Sequence, residues 1–80
     1  MNNLKDRLFG LLCEREKDRD WIGCLDSIQL EIMGFDDSVK QTINFLRLSY
    51  LINSLRFLKY EYFRKTIFDA MALIGKMSGE

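Results

Sequence analysis

Three features of the sequence predict an all-α fold, a compact bundle of three to four helices that stands alone or pairs as a homodimer. The chain has no proline and five glycines, so little interrupts a helix. Its composition, 48% hydrophobic and 30% charged, is that of a globular domain and not of a disordered segment. Apolar residues recur at spacings of three and four along most of its length, the period of helices with one buried face. The 80 residues make a single helical domain, 1–80. A chain that short buries only about 60% of the surface its unfolded form exposes, which favours pairing with a second copy.

The first helix is expected over Asn3–Lys17, where Leu4, Leu8, Leu11 and Leu12 form a stripe. Asn2 or Asn3 can cap it, and Asp6 sits in the first turn, where a carboxylate suits the helix dipole. Gly10 costs up to ~1 kcal/mol against alanine and signals close approach of another helix. The run Glu14–Asp20 is charged at all seven positions and therefore solvated. Beyond it the stripe resumes at Trp21, Leu25, Ile28 and Ile32, rotated by about 100°. One straight helix would have to bury two faces, so a break is expected near Asp18–Asp20. Asp20 then caps a second helix over Trp21–Met33, which Gly34 ends, with Phe35 folding back onto its last turn.

Ser38-Val39-Lys40-Gln41 matches a capping box, with Asp36 and Asp37 adding negative charge at the same end, so a third helix is expected from Ser38. Between Ser38 and Met77 the only glycine is Gly75. An unbroken helix there would be about 60 Å long, too long for so small a domain. Val39, Ile43, Leu46 and Tyr50 share one face, and Leu51, Leu55, Leu58 and Tyr62 continue on another about 120° away. A break at Asn53-Ser54 follows, and a fourth helix over Ser54–Lys76. Tyr60, Phe63, Ile67, Ala70, Met71 and Ile74 widen its apolar arc, and Glu61 and Lys65 form an i,i+4 pair on the polar edge.

Catalytic chemistry finds little to work with. Without histidine neither a Ser/His nor a Cys/His arrangement can be built. The glycines at 10, 23, 34, 75 and 79 have the wrong spacing for a phosphate cradle, and the one adjacent acidic pair, Asp36-Asp37, is accounted for by helix capping. Cys13 and Cys24, with no histidine to join them, build neither a zinc site nor a CxxC pair and act as small packing residues. No enzyme, cofactor or metal is expected. MNNLKDRLFGLLC is not a signal-peptide pattern, and Arg47, Arg56 and Lys59 interrupt the longest apolar stretch, so no membrane span is expected. The cytoplasm, with both thiols reduced, is the expected compartment.

Charge is balanced in total and divided in sequence. Met1–Asp37 carries five Lys and Arg against nine Asp and Glu, and Ser38–Glu80 carries seven against three, so the halves should attract each other. Two functional classes follow. The favoured one is a small cytoplasmic protein-binding module, an adaptor, chaperone or inhibitor that acts by occlusion or scaffolding. Seven of the ten aromatic residues fall between Phe45 and Phe68, and aromatic and arginine side chains dominate binding hot spots. Tyr50, Arg56, Phe57 and Tyr60 are the expected contacts, to another protein and to a second copy. The alternative is a DNA-associated regulator with a degenerate helix-turn-helix, in which Lys40, Asn44 and Arg47 share a face of the third helix. The paired aspartates beside that helix and the zero net charge weigh against it.

Overall fold

Capping chemistry divides this chain into its helices. A computed structural model describes residues 2–78. They form α1 (Asn2–Glu16), α2 (Trp21–Met33), a single turn α3 (Asp37–Lys40), α4 (Ile43–Ser54), a 3-10 turn (Leu55–Phe57) and α5 (Tyr60–Met77). The described residues contain no strand, and the fold is an all-α bundle with a radius of gyration of 11.9 Å.

α1 starts at Asn2, so Asn3 lies inside its first turn and does not cap it. The Asn2 side chain and residues 79–80 lie outside the described residues. At the other end the amides of Asp18 and Arg19 donate to the carbonyls of Arg15 (3.0 Å) and Glu14 (3.0 Å). This is the pairing of a Schellman motif. Asp18 takes the left-handed position that motif requires, at φ 55°. Asp20 then caps α2 as expected, its carboxylate accepting from the Gly23 amide at 3.0 Å. α2 ends at Met33, and Phe35 packs on Phe45 with ring centroids 5.8 Å apart.

The predicted third helix is cut in two. Asp36, and not Ser38, stands at the N-cap position of α3, and no capping box forms. One turn later Thr42 takes extended backbone and its hydroxyl does two jobs: it donates to the Val39 carbonyl (2.7 Å) and accepts from the Phe45 amide (3.2 Å). That cap ends α3 and starts α4 on a new heading, which severs Val39 from Ile43, Leu46 and Tyr50. Val39 packs on the core while those three do not. α4 ends at Ser54, close to the predicted break, yet α5 begins only at Tyr60. The intervening 3-10 turn and the extended Leu58 and Lys59 reverse the chain, held by burial of Leu55 and half-burial of Leu58.

The core comes from all four long helices: Leu4, Leu8, Leu11 and Leu12 of α1; Leu25, Ile28 and Ile32 of α2; Phe45, Leu48 and Ile52 of α4; and Phe63, Ile67, Ala70 and Ile74 of α5, with Leu55 from the turn. α5 packs between α1 and α4, α1 packs on α2, and α2 meets α4 along a thinner seam. Arg56 bridges that seam to the Asp26 carboxylate and to Gln29 Oε1 (3.1 Å), and Gln29 Nε2 donates to Asn53 Oδ1 (2.9 Å). Gly10 marks no close approach: a Cβ there would meet nothing within 4 Å. Lys65 turns to Asp69 (2.8 Å) and not to Glu61.

Candidate functional site

α4 carries two apolar stripes. Phe45, Leu48 and Ile52, spaced i, i+3, i+7, face the core. Ile43, Leu46 and Tyr50 have the same spacing on the opposite side, about 160° around the helix. Since the Thr42 cap fixes the rotation of α4, the second stripe is turned outward. Ile43 is 66%, Leu46 59% and Tyr50 73% exposed, and Phe57, at the end of the 3-10 turn, is 83% exposed. Single exposed apolar side chains are ordinary on a protein surface. An aligned stripe on one helix is what a partner covers.

A groove runs along each side of this ridge. Toward α5, Tyr50, Leu51, Ala72 and Leu73 line a cleft of about 370 Å³ with Arg47, Asp69 and Lys76 at its edges. Toward α2, Ile32, Met33 and Phe45 line one of about 430 Å³, with Gln29, Ser49, Asn53 and Lys40 around them. Asp69 is neutralised by Lys65. Among the described residues no carboxylate lies within ion-pair distance of Lys40, Arg47 or Lys76. The ridge is therefore apolar along its crest and cationic on both flanks.

Of the four contacts expected from sequence, Tyr50 stands exposed on this ridge and Phe57 stands exposed on the 3-10 turn. The other two are occupied elsewhere. Arg56 reaches back across the α2–α4 seam, and the Tyr60 hydroxyl donates to Glu16 Oε1 (2.6 Å) on α1. That bond to a carboxylate, with partial burial and the negative charge of Glu16, holds the Tyr60 phenol above its ordinary pKa of 10.0. Ile43 and Leu46 complete the ridge. Their exposure was hidden because, without the break at Thr42, they read as the continuation of the Val39 stripe.

The break separates Lys40 from Asn44 and Arg47, the other two residues expected to read DNA, which stay three apart on α4. Lys40 belongs to α3 and opens on the α2-side groove, Arg47 opens on the α5-side groove, and Asn44 lies in a third cleft with Ser38, Val39, Thr42, Lys76 and Met77. No continuous helix face presents them together.

A further concavity, of about 680 Å³, is lined by Arg15, Glu16, Asp18, Trp21 and Tyr60. The Arg15 guanidinium stacks 4.6 Å from the Trp21 ring centroid and 4.4 Å from that of Phe63, and those rings meet edge-on at 5.3 Å. Such cation–π contacts join α1, α2 and α5. Among the described residues no group of three His, Cys, Asp or Glu converges as metal ligands, and no helix is long and apolar enough to cross a membrane. Comparison with protein-family models, with curated proteins and with solved structures finds no match to this chain.

Proposed function

We propose that this chain is a small cytoplasmic protein-binding module that acts by covering or scaffolding another protein through the outer face of α4. One observation carries the reading: Ile43, Leu46 and Tyr50 are aligned in the open, on a helix whose other face already completes the core. Moving those side chains out of water under a partner is worth about 25 cal/mol per Å² of apolar surface covered. Both cysteines are free thiols, in keeping with a reducing compartment.

Site-specific photocrosslinking in the cells that make the protein tests this. A photoreactive residue replacing Leu46 gives a discrete, saturable adduct with another protein, and the same residue replacing Asp6, an exposed position of α1, does not. No adduct at 46, or the same diffuse ladder at both positions, sinks the reading.

A further inference from the structure

The two flanks of the ridge define what kind of protein it takes. We propose that the α4 ridge docks an acidic amphipathic helix of another protein, with apolar side chains seated in the two grooves and carboxylates paired with Lys40 on one side and Arg47 and Lys76 on the other. The proposal rests on reading the ridge as a protein-binding surface and adds the chemistry of the partner.

Shape comes first. A single helical crest between two grooves is the relief into which the ridges of another helix pack, and the spacing i, i+3, i+7 is that of a helix-in-groove contact. Both grooves have apolar lining: Leu51, Ala72 and Leu73 on one side, Ile32, Met33 and Phe45 on the other. Charge comes next. The α2-side groove contains no carboxylate, and the single one in the α5-side groove, Asp69, is already held by Lys65. Three cations, none within ion-pair distance of a carboxylate among the described residues, thus flank an apolar strip, and complementary charge at a rim selects partners and speeds their capture.

A second copy of this chain fits less well. A two-fold interface sets the same patch against itself, which would gather six of these cations, three from each copy, around one seam. Using the acidic half of a second copy instead makes a head-to-tail contact, which gives a ring or a filament and not a two-fold dimer. A flat anionic surface would meet the crest and leave both grooves unfilled.

The test uses two synthetic helical peptides with leucines at i, i+3 and i+7, one flanked by glutamates and the other by lysines, followed by fluorescence anisotropy. The expected result is that the glutamate peptide binds the intact protein at least ~10-fold more tightly, with an advantage that shrinks in high salt. The double variant Arg47→Glu, Lys76→Glu then reverses the preference. Leu46→Ser with Tyr50→Ser loses both peptides while keeping the parent's melting temperature. Equal binding of both peptides, lost in the ridge variant, would overturn the acidic partner and leave the protein-binding reading standing. Binding of neither overturns the inference, and the crosslink at position 46 then decides the broader reading separately. Two further results also overturn it: capture by phosphatidylserine vesicles in place of the peptides, and a dimer in solution that the ridge variant splits into monomers.

Discussion

Glycine and its absence are misplaced at two positions of this chain, and both can be corrected by a single substitution. Gly10 lies inside α1 with open space where a Cβ would go, so Gly10→Ala should stabilise the fold by about 0.5–1 kcal/mol through helix propensity alone. Asp18 holds a left-handed conformation that glycine adopts freely and other residues reach at a cost of ~1–2 kcal/mol. Its carboxylate also sits at the negative end of the α1 dipole. Asp18→Gly should therefore gain about 1 kcal/mol, a rise of roughly 4–8 °C in thermal midpoint for a domain of this size. A fall in midpoint for either variant would contradict the geometry. At Tyr60 the prediction concerns pH. The folded protein holds that phenol above its unfolded pKa because the hydroxyl donates to Glu16. The bond stabilises the fold fully below the unfolded value of 10.0, and its contribution is lost as pH rises through the higher folded value. Urea midpoints followed into alkali should fall more gently for Tyr60→Phe than for the parent.

At the scale of elements, the legible parts were those whose ends carry their own chemistry. α2 has Asp20 before it and Gly34 after it, with nothing competing, and its predicted bounds coincide with the observed ones. The segment after Asp36 offers two hydroxyls four residues apart, Ser38 and Thr42, and in one dimension either can start a helix. Which one wins depends on whether Phe45 or Ile43 faces inward, and that is settled by packing on Phe35, Leu48 and Ile52 and not by local pattern. Both α4 stripes have helical period, so periodicity alone could not tell core from ridge. The start of α5 was illegible for a different reason: Leu58 and Lys59 are neither turn formers nor caps, and Lys59 makes no side-chain cap bond. Thr42→Ala should cost about 1 kcal/mol as the loss of a working cap, and Ser38→Ala less than about 0.5 kcal/mol. Chemical denaturation of the two variants side by side checks this, and the reverse ranking would restore the capping box.

For the whole molecule, the expected attraction between an acidic and a basic half is only partly realised inside the fold. Arg56 with Asp26 joins the two halves, whereas Arg7 pairs with Glu31, Arg19 with Glu14 and Lys65 with Asp69 within their own. Because Arg56 and Asp26 are both partly open to solvent, Arg56→Ala should cost no more than ~1 kcal/mol, and less in high salt. A larger, salt-independent loss in urea titrations would mean that the α2–α4 seam depends on packing by the arginine stem instead. Of the basic charge left over, Lys40, Arg47 and Lys76 lie in the grooves beside the ridge. The accessible surface, 5135 Å², is close to the roughly 5,000 Å² expected of a compact monomer of this mass, so the exposed stripe is no symptom of loose packing.

The outward rotation of α4 has an evolutionary corollary. Folding is written in Phe45, Leu48 and Ile52, and recognition in Ile43, Leu46 and Tyr50, so one twelve-residue helix carries two texts that can be edited independently. A library randomised at the three outer positions should retain the parental fold in most of its members while scattering widely in what they bind. A single cap at Thr42 would then make this bundle a scaffold that can change its partners without relearning how to fold.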